Sequence, residues 1–210
     1  MWNMSFFQVM TKGGPVMWVI LVCSVFALAI ILEKLWHLHK IKINIRKFLH
    51  NIFDCLRAND TKGAIKVCDS TKNPLGRIFK PAIIKNQKNR NKLEELLQEN
   101  SFYEIPRLER RLTGLATIAH ITPLLGLLGT VSGMVKSFQI VQLKATALNT
   151  VAPADLAGGI WEALLTTVAG LIVAIPTFVA YNYLVSRVNN VIFEMERTST
   201  ELVKFMSEEV

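Results

Sequence analysis

The sequence has few cysteines and lacks the short motifs that mark most enzyme sites. Its three cysteines, Cys23, Cys55 and Cys68, form no C-x-x-C pair, so we interpret them as reduced, small apolar side chains. The sequence shows no glycine-rich nucleotide loop, nucleophile–base pair or metal-binding cluster. His37, His39 and His50 are too loosely spaced for a metal site. We therefore predict that the protein is not an enzyme and needs no cofactor.

Basic residues are scarce outside one part of the chain. Of the 24 Lys and Arg residues, 18 lie between Lys34 and Arg111, and Lys12 alone precedes the first apolar segment. This is the positive-inside pattern, which predicts an N-terminus outside the cytoplasm, a cytoplasmic region after the first segment and a cytoplasmic C-terminus. Topology thus explains the net charge of +8, and we do not expect nucleic acid as a partner.

The chain is rich in long apolar runs, with 51% hydrophobic residues and a mean hydropathy of +0.33. These values predict an all-α membrane protein with three transmembrane helices. A basic start and a cleavage site are not clear, so the first helix is expected to stay uncleaved. The predicted order is a periplasmic N-terminal segment (1–13), transmembrane helix 1 (14–36), a cytoplasmic helical region (37–111), transmembrane helix 2 (112–141), a short periplasmic loop (142–154), transmembrane helix 3 (155–185) and a cytoplasmic C-terminal helix (186–210).

Helices two and three are predicted to extend into the cytoplasm. An apolar seam continues past Tyr183 with alternating steps of four and three residues, which is typical of helices that pack side by side. We expect it to pack against the helix that leads to Arg111. Its members are Leu184, Val188, Val191, Met195, Thr198, Leu202 and Phe205. Shorter helices in the cytoplasmic region are expected to break at Asn59-Asp60 and at Asn73-Pro74.

The third apolar segment carries one acid, Glu162, and no basic residue before Arg187. A lone carboxylate inside hydrocarbon is costly unless it is protonated, paired or hydrated. Desolvation would favour its neutral form and let it exchange a proton near neutral pH. We interpret Lys136 and Lys144 as lying between the second and third segments. A structural acid that reaches toward the outer surface is the alternative for Glu162.

Small and polar side chains form one stripe on each of the last two membrane helices. The stripe with Glu162 contains Thr166, Ala169, Val173, Pro176 and Ala180, and that of helix two contains Gly126, Thr130, Gly133 and Ser137. Such a stripe faces protein or a hydrated path rather than lipid. The spacing of Thr130 fits both of two roles, which are helix packing and the lining of a hydrated path. Thr167 lies about 140° around the helix from Glu162, so it shares a wide face with Glu162 or lies at a subunit contact. His120 is favoured as a packing or headgroup-level residue over a proton relay.

Three motifs resemble the MotA/TolQ/ExbB proton-channel family. The second helix carries TPLLGLLGTVSGM from Thr122, and the third carries GIWEALLTTVAG from Gly159, followed by AIPT and Tyr181-Asn182. The first helix, with GGPVMW from Gly13 and ALAIILE from Ala27, favours the ExbB members over the TolQ members. The resemblance covers all three membrane helices, their order and the cytoplasmic region.

The resemblance implies a subunit of an energy-transducing complex in the bacterial inner membrane. A homopentamer would surround a dimer of an ExbD-like subunit that supplies a membrane aspartate. Proton flow would drive motion that a TonB-like protein passes to outer-membrane importers of iron-siderophores or vitamin B12. Glu162 matches the family's essential glutamate, Thr130 and Thr167 match pore-lining threonines, and Pro123 and Pro176 match recurring prolines. From the residues alone, Thr166 joins the proton pathway, and the small residues Gly126, Gly129, Gly133 and Gly170 are expected to pack the helices.

Other functions fit parts of the pattern. A TolQ-like subunit for envelope integrity, or a stator for another motor, would keep the machine and change its load. A structural membrane scaffold would use Glu162 only for packing. Protons are favoured over sodium as the coupling ion, because the sequence places few further polar ligands near Glu162.

Overall fold

The computed structural model describes residues 10–41, 45–71, 73–85, 89–146 and 152–208. Within these ranges the chain is helical, with seven helices longer than two turns and no strand. They are α1 (Gly14–Ile41), α2 (Ile45–Arg57), α3 (Thr61–Ser70), α4 (Pro74–Lys85), α5 (Arg90–Glu109), α6 (Leu112–Thr146) and α7 (Pro153–Glu208). Most of the predicted N-terminal segment and part of the predicted loop at 142–154 lie outside the described residues.

The chain divides into two compact units. The first contains the chain up to Leu32 together with Arg111–Tyr183, and so holds most of α1, all of α6 and the first part of α7. The second contains Glu33–Arg110 and the chain from Leu184 onward. Candidate membrane-spanning stretches occur in Gly14–His39, Arg90–Lys144 and Pro153–Ser207, by length and composition. The prediction of an all-helical chain with three apolar helices long enough to span a membrane is confirmed.

The outer surface of the first unit is apolar. Large hydrophobic side chains on all three of its helices are exposed in the single chain, where a water-soluble protein would carry charge. Examples are Val22, Phe26, Leu124, Leu128, Phe138, Ile172, Ile175 and Val179. This surface needs lipid or another protein to cover it.

The second unit is a bundle of short helices in which α2 to α5 pack successively against one another. Its core is formed by apolar side chains spaced three or four residues apart, which include Phe48, Ile52, Leu75, Ile78, Phe79, Leu93 and Leu97. The predicted breaks fall between α2 and α3 and between α3 and α4. At the first of them Asp60 caps α3, accepting the Gly63 N–H at 2.9 Å. Asp60 therefore fixes the start of α3.

The apolar seam of α7 packs into the second unit. Leu184, Val188, Met195 and Leu202 are all buried, as the alternating steps of four and three predict. Phe205, at the end of the seam, stacks on Phe53 of α2 with ring centroids 4.5 Å apart. Helix α7 thus contributes one long side of this bundle.

One acid of the second unit is buried, and two arginines neutralise it. The Glu104 side chain is 5% exposed, and its two oxygens accept hydrogen bonds from Arg77 Nη2 at 2.6 Å and from Arg107 Nη1 at 2.5 Å. A buried carboxylate is tolerated because both of its oxygens are paired. The Arg77 bond joins α4 to α5 and fixes their register.

Cys68 is expected to react slowly with alkylating reagents in the folded chain. Burial raises the pKa of its thiol to about 11, with a further contribution from neighbouring Asp69. Because the ordinary pKa of a cysteine thiol is 9.0, the folded state holds roughly a hundredfold less thiolate at neutral pH. The raised value also means that this thiol favours the folded state fully below pH 9, and that the contribution is lost as the pH rises toward 11.

The measurement is mass-resolved alkylation with a maleimide, with the denatured chain as the reference for the same thiol. Modification of Cys68 at equal rates in the folded and denatured chains would contradict the burial seen here.

Candidate functional site

Helices α6 and α7 approach each other closely because their facing residues are small. A methyl group on Gly133 would lie 2.5 Å from the Gly159 carbonyl oxygen and 2.9 Å from Ala163 Cβ. Backbone therefore packs directly on backbone at this level. Ser137 strengthens the contact, since its Oγ donates to Gly133 O at 3.2 Å within α6 and lies 3.3 Å from Leu156 O of α7.

The other predicted packing glycines lie in the same α6–α7 contact. A methyl group on Gly126 would come within 3.0 Å of Thr167 Cα, and one on Gly170 would come within 2.8 Å of Thr122 O. Gly129 lies directly under the hydroxyl of Thr166. The two prolines, Pro123 and Pro176, lie inside α6 and α7, and both helices continue through them.

Glu162 lies at the edge of this contact and forms an ion pair. Its side chain is 16% exposed, and its Oε1 is 2.5 Å from the Nζ atom of Lys136 on α6. The expectation of a lone carboxylate is therefore wrong. Lys136 is not in the connection between the apolar segments; it lies inside α6, one residue before Ser137, on the turn that faces Glu162.

The carboxylate of Glu162 also lies against Gly14, the first residue of α1. The space that a Cβ atom of Gly14 would occupy is filled by Glu162 Oε1, and Lys136 Nζ is 3.6 Å from the same point. Gly14 has a φ of +67°, a conformation that other residues adopt only with strain. The N-terminus of a helix carries partial positive charge and favours a nearby anion. Three helices thus meet at this one carboxylate.

A second ion pair links the same two helices closer to the start of α7. Lys144 Nζ is 2.6 Å from Asp155 Oδ1, and Asp155 Oδ2 accepts the Ala152 N–H at 2.9 Å. Helix α6 accordingly continues to Thr146, beyond the predicted end at 141, and α7 begins at Pro153. The Asp155–Lys144 pair offers a natural reference for the Glu162–Lys136 pair.

The hydroxyl groups of the three candidate threonines donate hydrogen bonds to different backbone carbonyls. Thr130 Oγ1 donates to Leu127 O at 2.7 Å on its own helix, whereas Thr167 Oγ1 donates across to Gly126 O of α6 at 3.1 Å. Thr166 is 1% exposed, and its hydroxyl donates to Ala163 O at 2.8 Å. Within one chain, Thr166 and Thr167 therefore belong to the α6–α7 contact. Their roles in a proton pathway stay predictions.

The face of α7 that packs on α6 is offset from the predicted stripe. The buried residues along this face are Gly159, Ala163, Thr166, Gly170, Ala174 and Thr177, whereas buried Leu165 packs with Met10 and Met17 instead. Of the stripe that contains Glu162, only Thr166 is buried in the chain, and Pro176 is exposed. Glu162 thus stands at the border between the packed face and the exposed surface of α7.

His120 takes a packing role in this chain. Its Nδ1 lies 2.7 Å from Ala116 O one turn earlier, and its ring meets that of Phe178 edge to face at 5.7 Å. In the described part of the chain, no three His, Cys, Asp or Glu side chains are grouped so that they could hold a metal ion. The role of Glu162 as a proton carrier stays a prediction.

Comparison with known proteins identifies relatives along most of the chain. Residues 70–197 match the model of the MotA/TolQ/ExbB proton channel family. The protein named ExbB-like 3 of Synechocystis sp. is 33% identical over 171 residues, which cover 81% of this chain and 80% of that protein.

An ExbB homolog of Methanothermobacter thermautotrophicus is 27% identical over 190 residues, and the match covers 90% of this chain and 66% of the relative. The Tol-Pal system protein TolQ of Haemophilus influenzae is 46% identical over a shorter stretch of 87 residues, or 41% of this chain and 36% of TolQ. The family match extends over more than half of the chain and includes both residues of the Glu162–Lys136 pair. The chain therefore belongs to the MotA/TolQ/ExbB proton channel family.

Proposed function

We propose that this chain is an ExbB-like proton-channel subunit of an inner-membrane complex that energises TonB-dependent import across the outer membrane. The observation that carries the proposal is Glu162, a single carboxylate at the meeting point of three helices in an apolar segment. A group in this position can take a proton from one side of the membrane and release it to the other. The imported cargo would be iron-siderophores or vitamin B12.

The energy available to such a group is sufficient to move a protein between two states. One elementary charge that crosses a potential of 100 mV gains about 2.3 kcal/mol. A free energy of this size shifts a two-state equilibrium by between one and two decades. Proton flow through Glu162 can therefore bias the complex toward one arrangement in each cycle.

Further subunits are needed to enclose a proton path around Glu162. Three helices cannot enclose a channel, and the apolar exterior of the first unit is available for contacts with copies of this chain. The proposed assembly is a homopentamer around an ExbD-like subunit that contributes its own acid, with a TonB-like protein receiving the motion. In this assembly Thr130 and Thr167 line the path together with Glu162, and Thr166 holds α7 against α6 beside them.

The proposed topology follows the distribution of charge. The start of α1 and the connection between α6 and α7 face the periplasm. The second unit, which includes the C-terminus, lies in the cytoplasm. Basic residues are favoured on that side of the membrane, and 18 of them lie between Lys34 and Arg111. Glu162 and Lys136 then lie toward the periplasmic half of the membrane.

A TolQ-like role in envelope integrity is the second candidate. It is favoured by the 46% identity to the Haemophilus influenzae TolQ protein, whereas the longer matches carry ExbB names. Both candidates use the same proton chemistry and differ in the partner that receives the motion. A stator for another device, or a scaffold in which Glu162 only packs, predicts that the chain supports neither process.

Complementation in two deletion strains distinguishes these functions. The chain is expressed with its own membrane partner in a strain that lacks its ExbB-type subunit and in one that lacks its TolQ-type subunit. The proposal predicts restored siderophore-dependent growth under iron limitation in the first strain and unchanged detergent sensitivity in the second. Restored detergent resistance without restored iron uptake would replace the proposed function with the TolQ-like role.

A further inference from the structure

Lys136 has no place in the function so far, yet it is the cation closest to Glu162. The two side chains come from different helices, and their charged atoms are 2.5 Å apart. The glutamate is largely buried, with 16% of its side chain exposed, whereas that of the lysine is 47% exposed. The glutamate thus lies on the buried side of the pair and the lysine at its open edge.

In the described part of the chain, Glu162 forms an ion pair with Lys136 alone. Helix α1 contributes Gly14, which has no side chain. On α7 the acid nearest to Glu162 along the chain is Asp155, which lies two turns earlier and is paired with Lys144. On α6 the neighbour one residue on is Ser137, whose hydroxyl lies against backbone carbonyls. The pairing of Glu162 with Lys136 is therefore selective.

We propose that Lys136 is an internal counter-ion that keeps Glu162 ionised between proton transfers, an inference that rests on the proposed function and adds a positioning residue to it. When a proton binds to Glu162, the carboxylate becomes a neutral acid and its hydrogen bond from the ammonium breaks. Lys136 stays protonated and turns toward the open edge. When the proton leaves, the same carboxylate is restored and the pair forms again.

The counter-ion also makes the site selective for protons over metal cations. A sodium ion at Glu162 needs several oxygen ligands and would lie beside the ammonium that already pairs with Oε1. Two positive charges at such a short separation repel each other strongly where little water screens them. A proton adds directly to a carboxylate oxygen and needs no further ligands.

The reactivity of Glu162 toward a carbodiimide tests the counter-ion directly, because these reagents modify protonated carboxyl groups in apolar surroundings. Full-length wild-type chain and variants are labelled in membranes at neutral pH together with their membrane partner. Lys136→Met removes the charge and nearly keeps the length of the side chain. We expect it to raise the labelling rate of Glu162 at least about tenfold, the effect of losing an opposite charge at this distance.

Three variants serve as controls. Lys136→Arg keeps the charge and is expected to label as slowly as wild type. Lys144→Met breaks the other ion pair of the same two helices and is expected to leave Glu162 labelling unchanged. Glu162→Gln gives the background. Replacing choline chloride by sodium chloride is expected to leave the wild-type rate unchanged.

Equal labelling of Glu162 in wild type and Lys136→Met, or equally fast labelling in Lys136→Arg and Lys136→Met, would overturn the proposal. Protection of wild-type Glu162 by sodium would overturn the exclusion of metal cations. The labelling needs no transport. The counter-ion can therefore be supported even if complementation fails, and complementation can succeed even if the labelling result contradicts the counter-ion. The counter-ion and the proposed function are thereby judged separately.

Discussion

The Glu162→Gln variant is expected to reduce siderophore-dependent growth under iron limitation to the level of the empty vector. Glutamine keeps the shape of the side chain but cannot gain or lose a proton, so proton transfer stops while the packing of α6 on α7 is retained. The measurement is growth of the ExbB-type deletion strain at matched membrane levels of wild-type and variant chains. Growth equal to that of wild type would reduce Glu162 to a structural residue.

The ion pair introduces a second way in which this variant could fail. Glutamine leaves the ammonium of Lys136 without its partner, and an unpaired cation in an apolar segment is costly. The double variant Lys136→Met/Glu162→Gln removes that cation. We expect it to be as inactive as the single variant, because neither can exchange a proton. Recovery of growth in the double variant would show that the unpaired lysine, and not the lost carboxylate, caused the defect.

The largest effect on stability is expected from Gly159→Ala, with Gly158→Ala as a matched control. A methyl group on Gly159 would lie 2.5 Å from Gly133 O and would collide with the hydroxyl of Ser137, whereas nothing lies within 4 Å of one on Gly158. Since the collision involves backbone, α6 and α7 must separate, at a cost of roughly 2–3 kcal/mol. The control should gain a few tenths of a kcal/mol, up to about 1, from its better helix propensity.

Thermal unfolding of the full chain in detergent measures this difference between two adjacent glycines of one helix. We expect a clearly lower midpoint for Gly159→Ala and a midpoint at or above that of wild type for Gly158→Ala. Similar midpoints for the two variants would contradict the close contact between α6 and α7. Both variants change glycine to alanine, so general helix propensity cannot produce the difference.

Much of the fold could be predicted because it depends on patterns within single segments. The three apolar runs give the membrane helices, and the seam that contains Leu184 and Leu202 predicts the burial seen in the second unit. The break at Asn59-Asp60 follows from the capping preference of aspartate. Each of these features is visible from the spacing of neighbouring residues alone.

The ion pair could not be predicted in the same way, because it depends on the rotation of one helix relative to another. If α6 were rotated about its axis by one residue, or about 100°, Lys136 would no longer face Glu162. The packed face of α7 shows the same limit, since it is centred on Ala163 and Gly170 rather than on the predicted stripe. One signal is present in the sequence: Lys136 lies within the predicted bounds of helix two, 112–141, and a charged residue inside an apolar helix needs a partner.

Proton flow through the assembled complex tests the central role of Glu162 most directly. Full-length chain is reconstituted with its membrane partner in liposomes that contain a pH-sensitive dye, and a pH gradient and membrane potential are imposed. The account predicts proton entry with the wild-type complex, background entry with Glu162→Gln, and background entry with the chain alone, because an ungated path would dissipate the gradient. Equal proton entry with wild type and Glu162→Gln would contradict the account.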